Sequence, residues 1–132
     1  MKSMLLDTNA LIWYELEPER LSKRVLRLMQ NEGNFASHVS LWEMAVKKGS
    51  GRLDLLSQGK RTSAKQFMLN VIRDLRLSAL PLEFDDLADV EGLPLHHKDP
   101  FDRLLVVQAK RHNLPIISPD EHFDDYGIRR VW

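Results

Sequence analysis

Apolar and polar residues fall in alternating blocks along this chain. Short apolar runs at Ser3 to Leu6, Phe35 to Val39, Leu77 to Leu82, Leu114 to Ser118 and Ile128 to Trp132 predict extended segments, the last a terminal edge strand. Between them, apolar residues recur at helical spacing. Ala10 to Tyr14 predicts a short buried helix after the polar loop Asp7-Thr8-Asn9. Ser22 caps a helix through Asn31 with Val25, Leu26, Leu28 and Met29 as its apolar face, and Gly33 stops it. Ser40 and Glu43 match a capping box opening a helix that Gly49-Ser50-Gly51 ends. Ser63 to Leu75 carries Phe67, Met68, Val71, Ile72 and Leu75 on one face, and a short helix follows from Asp85. Asp99 and Pro100 supply a cap and a first-turn proline for a long apolar helix from Phe101 to His112. Glu121 to Tyr126 predicts a helical turn that Gly127 breaks. Strands alternating with helices predict an α/β fold with a mainly parallel sheet, whose functional cleft lies at the carboxyl ends of the strands.

Composition narrows this picture. The chain has 132 residues, the size of one domain over 1–132, and its 43% hydrophobic and 29% charged content is that of a packed globular protein. Its 19 basic and 19 acidic residues cancel, so a polyanionic partner would be held by a local patch or a metal, not by the overall field. Cysteine is absent, which excludes disulfides and thiolate metal sites and makes zinc a poor match. Oxygen-ligated Mg²⁺ or Mn²⁺ fits better. The apolar run at the N-terminus is too short for a signal peptide and no stretch approaches membrane-spanning length, so a cytoplasmic protein without a membrane partner is expected.

Four carboxylates then stand out because each adjoins strongly apolar sequence: Asp7, Glu43, Asp102 and Asp120. Asp7 and Asp120 follow predicted strands, and Glu43 and Asp102 fall in predicted first helical turns, so all four can converge at one sheet edge. Acids gathered in one cleft repel each other, and their desolvation raises pKa or demands a cation, so a site built this way usually holds metal. Simpler roles stand beside this one: Glu43 as the partner of Ser40, Asp102 as a complement to the helix dipole, Asp7 and Asp120 as turn or cap residues. Asp99 reads as a cap that supports the site from one turn away. Thr8, Asn9 and Ser118 can orient carboxylates or bound waters. His96 and His97 read as part of a polar loop, Asp124 and Asp125 as a solvated turn, and Trp13, Trp42 and Trp132 as core or interface anchors.

These same residues carry a resemblance. Leu5-Leu6-Asp7-Thr8-Asn9, Ser40-Leu41-Trp42-Glu43, His97-Lys98-Asp99-Pro100-Phe101-Asp102-Arg103 and Ile117-Ser118-Pro119-Asp120 are similar, in order, to the motifs of PIN-domain nucleases, and more closely to VapC-type toxins. The resemblance spans essentially the whole chain. It implies a three-layer α/β/α fold, Mg²⁺- or Mn²⁺-dependent endoribonuclease activity, homodimers and a cognate VapB-type antitoxin. Its metal-binding acids fall on Asp7, Glu43, Asp102 and Asp120, and its small polar residue on Asn9. Where members often place threonine before the last acid, this chain has Ser118-Pro119, keeping a hydroxyl but losing a backbone donor.

No nucleophilic Ser, Cys or His triad is evident, so hydrolysis by cation-activated water is the expected chemistry. Lys47, Lys48, Arg52 and Arg103 are candidate RNA phosphate contacts, with a solvated surface as the alternative for the first three. Two rival readings share the same residues: another metal-dependent phosphohydrolase or DNA nuclease, and a non-catalytic α/β protein-binding module.

Overall fold

A computed structural model describes residues 2–132. Five parallel strands form one sheet in the order β5-β2-β1-β6-β7, with β1 (Leu5–Leu6) in the middle, β2 (Phe35–Ser37) and β6 (Ile116–Ile117) beside it, and β5 (Ser78–Leu80) and β7 (Arg130–Val131) at the edges. Leu5 pairs with Phe35 and Ile116, and Leu6 with Ala36 and Ile117. Successive side chains of a strand face opposite ways. Leu6 accordingly joins Leu11, Met44, Phe67 and Val71 in one core cluster, while Leu5 joins Leu105, Ile116 and Phe123 in the other. Helices flank the sheet and supply most of both clusters: α1 (Thr8–Leu16), α2 (Lys23–Met29), α3 (His38–Gly49), α4 (Ala64–Leu75), α5 (Phe84–Asp89) and α6 (Pro100–Arg111). Among the described residues no helix is long and apolar enough to cross a membrane.

The expected parallel α/β architecture is present, Ser22 and Asp99 cap α2 and α6 as the sequence predicts, and Ser63 caps α4. Three local expectations are corrected. The Ser40–Glu43 capping box does not form: α3 starts at His38, capped by Ser37, whose Oγ accepts the Val39 N–H at 2.9 Å. Ser37 ends the strand earlier than the apolar run suggested, because its hydroxyl also donates to Gln108 Oε1 of α6, at 2.5 Å, and so marks the turn. The polar cluster after β1 is not a loop, since α1 begins at Thr8 directly. A hairpin of β3 (Leu56–Ser57) and β4 (Lys60–Arg61) was not foreseen; Gln58 and Gly59 make its turn with φ of 51° and 77°. A two-residue turn with both φ positive matches the right-handed twist of the strands it joins.

Neighbours β2 and β6 enter the sheet on opposite sides of β1, which makes the carboxyl end of β1 a topological switch point. Asp7 is the first residue beyond it.

Candidate metal centre

Asp7 is almost fully buried at this switch point and caps α1, accepting the Ala10 N–H at 2.7 Å. Its other oxygen accepts the hydroxyl of Ser118, which in turn accepts the Asp120 N–H at 3.0 Å. One serine therefore ties the end of β1 to the start of the Asp120 segment, and the hydrogen bonding around Pro119 is met without a donor from proline. Burial pushes the Asp7 carboxyl up to about 7; the Ser118 and Ala10 hydrogen bonds oppose this, and the charges of Asp120 and Asp102 add to it.

Glu43 enters from the interior of α3, in its second turn rather than its first. Lys47, one turn on, holds its Oε2 at 2.5 Å. Oε1 is buried and has no hydrogen-bond partner among the described residues. Ser40, freed from capping, accepts the Thr8 hydroxyl at 2.9 Å and locks α1 against α3 behind the acids.

Asp99 and Asp102 arrive at the N-terminus of α6. Asp99 Oδ1 caps it, accepting the N–H groups of Phe101 at 2.8 Å and Asp102 at 3.1 Å. Burial raises the Asp102 carboxyl to about 6, with Asp99 and Glu43 adding and His122 and His97 opposing. The structure thus brings together Asp7, Thr8, Asn9, Glu43, Lys47, Asp99, Asp102 and Asp120 around one cleft of about 180 Å³. A wider depression of about 490 Å³ beside α5 is the larger concavity, yet its acids Asp89 and Glu91 share it with Lys110 and Arg111. In the smaller one five carboxylates face a single lysine.

Other candidates lie apart from that cleft. Arg103 is already engaged: NH1 donates to the carbonyls of Pro94 and His97 at 3.0 and 3.3 Å, and NH2 to those of Val90 and Leu93 at 3.3 and 3.2 Å. These two nitrogens tie down the loop before α6. Lys48 lies beyond Lys47 on α3 and Arg52 past the helix end, where its Nε donates to Ser50 Oγ at 2.8 Å. Asp124 pairs with Arg130 at 3.0 Å, and Asp125 is exposed. Trp13 and Trp132 pack edge to face with centroids 5.8 Å apart, whereas Trp42 keeps 45% exposure against Phe101. Reading the loop of His97 as merely polar missed that its ring reaches Asp102, as does that of His122. The spacing of His122, two residues past Asp120, is the one sequence signal for it.

A divalent cation fits the cleft. It would satisfy the orphaned Glu43 oxygen and relieve the desolvated carboxyls of Asp7 and Asp102, and an all-oxygen donor set suits Mg²⁺ or Mn²⁺.

Comparison with known proteins adds family and fold. The family model of the PIN domain matches residues 4–128. No curated protein matches the chain in sequence. Among solved structures, DNA-bound VapBC from Salmonella typhimurium is similar at 18% identity and a TM-score of 0.66, covering 99% of this chain and 98% of that one. VapBC2 from Rickettsia felis, bound to a promoter DNA fragment, is similar at 14% identity and a TM-score of 0.67, covering 98% and 97%. FitAcB from Neisseria gonorrhoeae is similar at 21% identity and a TM-score of 0.62, covering 98% and 96%.

Proposed function

Because this chain belongs to the PIN domain family, we propose that it is a Mg²⁺- or Mn²⁺-dependent endoribonuclease, the toxin of a VapBC-type toxin–antitoxin pair. The observation that carries this is the cleft itself, where Asp7, Glu43, Asp99, Asp102 and Asp120 face a single lysine. Asp7, Asp102 and Asp120 would hold the cation, with Glu43 completing the set or orienting the attacking water. A bound cation lowers the pKa of water and offsets charge developing on a phosphodiester. Ser118 and Ala10 fix the Asp7 carboxylate, Asp99 fixes the first turn that carries Asp102, and Thr8 with Ser40 holds the helix that carries Glu43. Asn9 lines the mouth of the cleft and would orient water there.

Lys47 at the cleft, with Lys48 and Arg52 further along and past α3, would supply the contacts to an RNA backbone. In this reading the chain is one PIN unit over 1–132, acts in the cytoplasm as a homodimer, and is held by a VapB-type antitoxin. Support for the antitoxin comes from the fold shared with the VapBC and FitAcB structures and from a mainly apolar groove lined by Leu41, Met68, Leu69 and Ile72.

The test is cleavage of RNA, DNA and small phosphoesters by the purified protein, with Mg²⁺ or Mn²⁺ and with excess chelator. RNA cleavage that needs the cation is expected. Undiminished cleavage in chelator would overturn the metal role, and cleavage of DNA or phosphoesters alone would replace the substrate.

A further inference from the structure

We propose that His97, His122 and Asp102 form a separate binding site for a transition cation of the Zn²⁺ type, and that filling it withdraws Asp102 from the acid cleft. His97 lies before the cap of α6 and His122 after Asp120, yet their rings stack with centroids 4.0 Å apart and planes at 24°. Both Nε2 atoms converge on one oxygen, Asp102 Oδ2, at 3.3 Å from His97 and 3.1 Å from His122. All three atoms lie within 4.8 Å of one another. Ligands of a tetrahedral ion with bonds of about 2.0–2.1 Å stand about 3.3–3.4 Å apart, so two of the three edges are already near that spacing.

The chemistry separates this group from the acid cleft. Two imidazoles and a carboxylate suit Zn²⁺ and leave a fourth position for water, whereas the all-oxygen cleft suits Mg²⁺ or Mn²⁺. The lack of cysteine bears on thiolate sites and not on this one. Side-chain exposures of 33% for His97, 26% for His122 and 18% for Asp102 leave an entry path. The backbone N–H of His97 donates to the Tyr126 hydroxyl at 2.8 Å and so anchors its loop, while the His122 ring lies 4.6 Å from that of Phe123. Neighbouring His96 instead packs edge-on against Tyr126, 5.1 Å between centroids, which makes it the control. Binding rests on this geometry alone; inhibition of cleavage rests on the nuclease reading above.

Co²⁺, whose tetrahedral complexes absorb strongly in the visible, is the direct probe. It is titrated into the full chain in excess Mg²⁺, followed by displacement with Zn²⁺. Wild type, His96→Gln and Asp7→Asn should bind Co²⁺ alike, and His97→Gln and His122→Gln about tenfold or more weakly, with far-UV circular dichroism unchanged. Zn²⁺ should inhibit RNA cleavage in Mg²⁺, and His122→Gln should need about tenfold more Zn²⁺ for the same inhibition. Equal Co²⁺ binding by both histidine variants would overturn the site, as would its loss in Asp7→Asn, which would place the ion among the acids. If the protein cleaves no RNA, the inhibition falls with the nuclease reading while Co²⁺ binding still decides the site.

Discussion

Asp85, Asp86 and Asp89 on α5 all face one guanidinium, for Arg111 lies 3.2, 3.6 and 2.9 Å from their carboxylates. Asp7, Glu43, Asp99, Asp102 and Asp120 line a cleft whose one cationic side chain is Lys47. Each group contains a buried carboxylate oxygen without a hydrogen bond, Asp86 Oδ1 in one and Glu43 Oε1 in the other. Arg111 still sits close enough to Asp86 to answer its charge, though too far to donate to that oxygen. Every one of the α5 acids thus lies beside the same guanidinium, an ion-pair network that ties α5 to α6. The cleft acids are an unbalanced set, and imbalance held in place by the fold is the physical signature of a cation-binding site.

The largest expected contrast is in catalysis. Asp7→Asn keeps an oxygen to cap α1 but removes a proposed ligand, and should lower RNA cleavage roughly 10²-fold or more, the several kcal/mol that a cation supplies. Its thermal melt in chelator should be unchanged or raised, because a desolvated carboxyl is gone. Asp89→Asn should leave cleavage within about twofold. Equal losses from both substitutions would erase the distinction between the clusters.

Much of this was legible beforehand because it is written in local signals. Apolar runs placed all five strands of the sheet, and Asp99-Pro100 placed the start of α6, since a cap and a first-turn proline act within a few residues. The acids of the cleft were found by their position next to core sequence. What escaped depends on partners far along the chain. Ser40 reads as the capping partner of Glu43, yet it accepts the Thr8 hydroxyl, and the cap is Ser37, whose hydroxyl donates to Gln108 of α6. Arg103 looked free beside Asp102, but the carbonyls that claim it belong to a loop whose path no periodicity specifies. His122 joins Asp102 only through the fold, across 20 residues.

Dependence on pH offers a second, smaller contrast. Asp7 and Asp102 hold protons more tightly folded than unfolded, with values near 7 and 6 against 3.8. The stability this contributes is fully present below 3.8 and is lost as pH rises through 6 to 7. In chelator, wild type should lose on the order of a few kcal/mol between pH 5 and 8 relative to Asp7→Asn, as read from urea midpoints. Saturating Mg²⁺ or Mn²⁺ should restore the stability at pH 8, since it binds the ionised form. A wild-type curve parallel to that of Asp7→Asn, with or without cation, would mean that the cleft carries no strained carboxyl.

The finest test sets the two cationic partners against each other. Arg111→Met leaves Asp86 buried without a counter-charge and should destabilise by about 2–3 kcal/mol whatever divalent cation is present, because among the described residues only the neutral Glu83 N–H, at 2.8 Å, then reaches that carboxylate. Lys47→Met removes the ion pair to Glu43, whose side chain is only 7% exposed, and should cost about 1 kcal/mol in chelator. There the divalent cation is expected to take over the role of the lysine. Mn²⁺ should recover the loss and bind the variant more tightly than wild type, since Glu43 no longer divides its charge between two cations. Thermal melts of both variants, with and without Mn²⁺, read this directly. A loss in Lys47→Met that Mn²⁺ leaves untouched would mean that Glu43 faces Lys47 for structure alone, as the α5 acids face Arg111.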